Sequence, residues 1–177
     1  MAGTRRNRRR TAIGGQFAPR LIEMISSPAF RVLSLSVRRA LARIELELAS
    51  HGGTDNGRLP TTFDDFMKFG IDRHAIAPAL RELVALGLVE VTERGRAGNA
   101  EFRSPNKFGL TYRHTDHGSP THEWRRATSV EQAEATARGA RKTPEARKRK
   151  PVGESAENRW GETTPKTGIP DGVNPHY

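Results

Sequence analysis

Almost all large aliphatic side chains of this 177-residue chain lie in its middle. Every leucine and every phenylalanine lies within residues 17–113. Residues 114–177 contain no leucine, and their branched aliphatic residues are Val130, Val152, Ile169 and Val173. Because folding must bury enough apolar area to offset lost chain entropy, we expect one folded domain over residues 17–113. The same argument predicts a long disordered tail over residues 114–177.

Positive charge is concentrated in two segments outside that middle. The chain carries 30 Lys and Arg against 20 Asp and Glu, a formal net charge of +10. Residues 1–16 hold five arginines and no acid, namely Arg5, Arg6, Arg8, Arg9 and Arg10. Residues 138–150 hold seven basic residues and one acidic residue, so they form either a solvated linker or a second contact with phosphates. We therefore expect a disordered basic arm over residues 1–16 and a polyanionic partner, with nucleic acid first.

Several classes of protein are disfavoured by composition. Without cysteine, the chain has no disulfide framework, thiolate zinc site or cysteine nucleophile. Its apolar runs are only a few residues long and none follows the arginine-rich start, so we expect neither a membrane span nor a secretory signal. We expect a cytoplasmic protein of bacterial type, associated with the nucleoid.

No residue pattern in the sequence predicts catalysis or metal binding. His114, His117 and His122 form a histidine group, but their spacing matches no common structural metal site and they lie in the predicted tail. The adjacent carboxylates Asp64 and Asp65 are explained by their place at the start of a helix. We therefore expect no metal, no cofactor and no enzymatic activity.

The middle segment begins with two predicted helices. The first starts near Pro19 and ends before Pro28. The second is capped by Ser36 and stopped by Gly52, with an apolar stripe at i, i+4, i+7 and i+11. That stripe consists of Val37, Leu41, Ile44 and Leu48. Leu46 lies on the opposite face, which leaves open a contact with the first helix or with a second subunit in a homodimer.

Two shorter helices and a hairpin are predicted next. Residues 52–60 read as a turn-forming loop, after which Thr61 or Thr62 caps a helix that ends at Gly70. Asp72 caps a further helix, in which Pro78 implies either a start near Ala77 or a kink. Strands over residues 88–92 and 108–112 flank a basic hairpin tip. The expected fold is mainly α-helical with a small β-hairpin, flanked by the disordered arm and tail.

The residues from Asp72 to Leu83, followed by Leu86 to Val89, carry a family resemblance. They resemble the recognition helix and wing entry of bacterial winged helix-turn-helix DNA-binding proteins, especially the GntR type, in the run Arg-x-x-Ile-x-x-Ala-Leu-x-x-Leu. Residues 33–112 are also similar to small winged-helix proteins of plasmids and integrated mobile elements. Asp72 stands where the pattern often has Ser, and Ala77 and Pro78 stand where it often has Arg.

The resemblance implies a set of DNA contacts. The helix after Asp72 would enter the major groove and the hairpin would reach the adjacent minor groove or its phosphates. The expected contacts are Arg73, His74, Ala77 and Arg81 on the helix, Arg94, Arg96 and Asn99 on the hairpin, Thr61 and Thr62 at a phosphate, and Arg5, Arg6, Arg8, Arg9 and Arg10 in the arm.

The expected function is sequence-specific binding of double-stranded DNA, as a transcriptional regulator that acts by occupying its site. One alternative is a replication or excision accessory, or initiator-like, protein of a plasmid or integrated mobile element. Another is a basic adaptor associated with RNA or the ribosome. A protein partner for the C-terminal tail is a further option, and no membrane partner is expected.

Overall fold

A computed structural model of the chain describes residue 15 and residues 17–96, 104–116 and 118–142. These residues belong to a compact unit that spans Met1–Thr143, and a second unit, Pro144–Tyr177, lies outside the described residues. The predicted basic arm falls almost wholly on residues that are not described.

The described residues form a mixed α/β domain of six α-helices, a short 3-10 helix and a three-stranded antiparallel sheet. The helices are α1 (Ile22–Ser26), α2 (Pro28–Arg31), α3 (Leu35–Ser50), α4 (Phe63–Lys68), α5 (Arg73–Ala85) and α6 (Val130–Arg141), and the 3-10 helix is Glu123–Arg126. The strands are β1 (Leu59–Thr61), β2 (Val89–Glu93) and β3 (Asn106–Leu110).

The sheet has the order β1-β3-β2, so the last strand lies in the centre. Leu59 pairs with Phe108 and Val89 pairs with Leu110, with an irregularity between Val91 and Glu93. The predicted hairpin of β2 and β3 is present. Strand β1 corrects the prediction of a loop over residues 52–60, and its Pro60 is tolerated because β1 is an edge strand.

Helix α3 confirms the predicted apolar stripe. Its four stripe residues are all buried, whereas Leu46 is 50% exposed. The helix begins at Leu35, and Ser34 occupies the N-cap position. The prediction that Ser36 caps this helix is wrong, because Ser36 lies inside its first turn. Pro28 begins α2 rather than only ending α1, because proline suits the first position of a helix and Ser27 caps it by accepting from the Phe30 amide (3.3 Å).

The predicted domain boundary at residue 113 is wrong, because the chain beyond it packs on the same core. Trp124 is 2% exposed, and Ala133 and Ala137 of α6 are also buried. Gly87 makes this packing close, since a Cβ there would lie 2.6 Å from the carbonyl carbon of Glu123. The fold therefore extends at least to Lys142, and the disorder predicted for residues 114–177 fails for residues 123–126 and 130–141.

Candidate nucleic-acid interface

Helices α4 and α5 are joined by a short turn, and each helix is capped at its N-terminus. The Thr62 Oγ1 accepts from the Asp65 amide (3.2 Å), and the Asp65 carboxylate accepts from the Thr62 amide (2.9 Å). Asp72 caps α5 by accepting from the His74 amide (2.8 Å). The predicted caps Thr62 and Asp72 are therefore confirmed: Thr62 fixes where α4 begins and Asp72 fixes where α5 begins.

The Thr62 cap gives a pH-dependent prediction. Hydrogen bonds from the Thr62 side chain, then from its backbone amide, lower the pKa of Asp65 from its ordinary value of 3.8. A lowered folded-state pKa stabilises the protein above the unfolded pKa, and that contribution is lost as pH falls through the folded value. We expect Thr62→Ala to reduce the free energy of unfolding by about 1 kcal/mol at pH 7 and by less below pH ~3.8. Urea titrations at pH 7 and pH 3 measure this difference, with the exposed Thr121→Ala as control; an equal loss at both pH values would contradict it.

Helix α5 has one buried face and one exposed face. Ile76, Ala79 and Leu83 are buried in the core, whereas Arg73 and His74 are exposed and Ala77 is half-buried. The helix starts at Arg73, not near Ala77, and includes Pro78 in its interior. The first turn therefore presents a guanidinium and an imidazole to solvent.

Arg81 differs from its predicted role. Its Nε donates to the carbonyl oxygen of Ala140 (2.9 Å) and its Nη2 to that of Arg141 (3.0 Å). These carbonyls are at the end of α6, where a helix leaves its last acceptors unpaired. In this structure Arg81 caps α6, and these two donors are not directed at an external ligand.

Glu82, which is not among the predicted site residues, connects the same two helices. It is 1% exposed, and its carboxylate accepts from the Arg141 Nε (2.6 Å) and Nη2 (3.2 Å). The hydrogen bond to Glu82 raises the pKa of Arg141. No local pattern indicates this pair, because its partners lie on helices far apart in sequence.

Removing Arg141 would leave a buried carboxylate without its cation. We expect Arg141→Ala to lower the free energy of unfolding by about 2–3 kcal/mol, below the largest effects for buried pairs because Arg141 is 44% exposed. Arg141→Lys should restore part of that loss. Arg138→Ala is the matched control, because Arg138 is 66% exposed and its ion pair is weak: its Nη1 lies 3.6 Å from the Oε2 of the exposed Glu134. Equal unfolding midpoints for the two alanine variants would contradict the assignment.

The β2–β3 hairpin contributes two exposed arginines. Arg94 and Arg96 are both exposed, and the Arg96 amide donates to the Ser104 carbonyl (3.0 Å). Within the described ranges, neither arginine lies within 4.0 Å of a carboxylate, and the same holds for Arg73. The predicted contact Asn99 lies outside the described residues.

A groove of about 480 Å³ separates this hairpin from the start of α4. Its lining includes Arg96, Thr62 and Asp64. Thr61 also borders the groove, but it is 2% exposed and its Oγ1 is buried, with no hydrogen-bond partner in the described part of the chain. The prediction that Thr61 presents a surface hydroxyl is therefore corrected, because the pleat of β1 turns this side chain inward, whereas Thr62 is exposed.

The start of the described chain is held by a partly buried polar network. Arg20 donates through Nε to Glu45 (2.7 Å), and the Tyr112 hydroxyl donates to the same carboxylate (2.5 Å). Burial, then the charge of Glu45, raises the pKa of Tyr112 well above its ordinary value. Tyr112 follows the end of β3 that is remote from the hairpin tip. The segment around Arg20 therefore joins the domain at the end of the sheet opposite the hairpin tip. The arm arginines Arg5, Arg6, Arg8, Arg9 and Arg10 lie outside the described residues.

Comparisons with known proteins give no relative. No protein-family model matches the chain, and neither the curated proteins nor the solved structures contain a match. Among the described residues, no helix is long and apolar enough to span a membrane. The same residues contain no group of three or more His, Cys, Asp or Glu side chains that could hold a metal ion, and His117 is not among them.

Proposed function

We propose that the protein binds double-stranded DNA in a sequence-specific manner and regulates transcription by occupying its site. The order of elements supports this proposal. A long helix, an edge strand, two helices joined by a tight turn and a β-hairpin follow one another, and the hairpin's second strand lies centrally in the sheet. This is the order of a winged helix-turn-helix domain, in which α5 corresponds to the recognition helix and the β2–β3 hairpin to the wing.

The observation that carries the proposal is the exposed first turn of α5. Arg73 and His74 project from it without a carboxylate partner among the described residues. The major groove admits one α-helix, and guanine presents O6 and N7 there as a pair of acceptors that suits a guanidinium. Arg73 is therefore the proposed reader of a guanine, with His74 as a second donor.

The hairpin supplies the second proposed contact. Arg94 and Arg96 would lie against phosphates or in the minor groove beside the segment that α5 occupies, and the exposed Thr62 would face a phosphate. These contacts are sequence-independent and set the position of α5 on the duplex. They predict binding that weakens as salt rises, because each neutralised phosphate releases counterions.

This assignment makes different predictions for two arginines of the same helix. We expect Arg73→Ala to lower affinity for the preferred duplex by roughly 10- to 100-fold and to relax the preference at one base pair. Arg81→Ala should leave the preferred sequence unchanged and instead lower the free energy of unfolding by about 1 kcal/mol, because it loses only the contacts to α6.

Binding titrations against the preferred duplex and single-base variants measure the first effect, and urea unfolding measures the second. Arg58→Ala is the control, since Arg58 is an exposed arginine paired with Asp116 (2.7 Å). A changed sequence preference for Arg81→Ala with none for Arg73→Ala would reverse the assignment.

A further inference from the structure

Beyond its first turn, the exposed face of α5 is aliphatic. Ala77 is half-buried, Val84 is 38% exposed and Ala85 is exposed. The only long polar side chain on this part of the face is Arg81, and it caps α6. Hydrogen-bond donors are therefore confined to Arg73 and His74, at one end of the helix.

Ala77 and Val84 lie on one stripe with Arg73. They are two helical turns apart, and Ala77 follows Arg73 by about one turn. At 1.5 Å per residue the stripe is roughly 16 Å long, which matches about five base-pair steps. A single pass of α5 along the groove would place the guanidinium and the two aliphatic side chains over different base pairs.

The exposed face of α5 carries Arg73 and His74 at one end and an exposed valine at the other. Such a face fits a partner that is both anionic and locally apolar. The major groove of DNA has this combination, because phosphates line it and the thymine C5-methyl group is its apolar feature. We propose that Ala77 and Val84 determine specificity by contacting thymine methyl groups, so that the site carries a guanine at one end and A·T pairs along the rest of α5. This inference rests on the proposed function.

The test removes methyl groups one at a time from the DNA. A duplex recovered by selection with the full-length protein is resynthesised with each thymine replaced singly by uracil, which keeps base pairing and removes only the methyl. Binding is measured at constant salt for the wild type and for Val84→Ala. Leu35→Ala is the control, since Leu35 at the start of α3 is 65% exposed and lies outside both α5 and the β2–β3 hairpin.

We expect uracil at one or two positions to weaken wild-type binding about fourfold each, the effect of one buried methyl-sized group. For Val84→Ala, at least one of those positions should become insensitive to uracil, whereas Leu35→Ala should retain the wild-type pattern. Specific binding that no uracil weakens, or a wild-type pattern in Val84→Ala, would overturn the inference while the proposed function stands. Failure to recover any preferred duplex would refute the proposed function itself.

Discussion

A chain that ends at Arg113 will be largely unfolded, whereas one that ends at Lys142 will fold cooperatively. The shorter chain loses Trp124, which is 2% exposed, and leaves the 1% exposed Glu82 without Arg141. Losing a buried tryptophan costs roughly 3–5 kcal/mol, and breaking the Glu82–Arg141 pair adds about 2–3 kcal/mol. The total is comparable with the whole free energy of unfolding of a small domain, roughly 5–15 kcal/mol.

Residues 15–113 and 15–142 are the matched pair for this experiment. Circular dichroism should show a sharp thermal transition for the longer chain only. A cooperative transition of similar midpoint in both chains would mean that the segment after Arg113 is not part of the core.

Replacing Gly87 by alanine should release the 3-10 helix from the core. Gly87 has a φ of +70°, and a Cβ there would meet the Glu123 carbonyl carbon at 2.6 Å and its oxygen at 2.7 Å. Gly53 has a similar φ of +81° but no atom within 4 Å of such a Cβ. Gly53→Ala therefore measures only the backbone strain of a left-handed alanine, about 1 kcal/mol, whereas we expect Gly87→Ala to cost roughly 3 kcal/mol.

Tryptophan fluorescence reports the release directly. In residues 15–142 Trp124 is the single tryptophan, since the other is Trp160. Gly87→Ala should shift its emission to longer wavelength under native conditions, and Gly53→Ala should not. Two variants with equal stability and unchanged emission would contradict the close packing of Gly87 on Glu123.

Most of the elements that the sequence predicted are set by local chemistry. The stripe of α3 follows from helical periodicity, and Thr62 and Asp72 are caps because their side chains bond to amides two or three residues away. The hairpin follows from alternating strands around a turn-rich segment. None of these depends on a distant partner.

Elements set by distant partners could not be predicted in the same way. Strand β1 has only three residues, one of which is a proline, and it forms because β3 pairs with it. Helix α6 buries small side chains, Ala133 and Ala137, so its apolar face is weak in the sequence. Arg81 was predicted to contact DNA because nothing near it in the sequence could occupy its donors. The carbonyls that accept them belong to α6, about 60 residues further along the chain.

The most direct test of the proposed function is selection from a random duplex pool at near-physiological salt. Full-length protein and residues 15–142 are each tested beside their Arg73→Ala variants. We predict one consensus for both wild-type chains and loss of preference at one base pair in both variants. No enrichment by either chain, with binding that modest salt abolishes, would show general attraction to polyanions and contradict a sequence-specific role for α5.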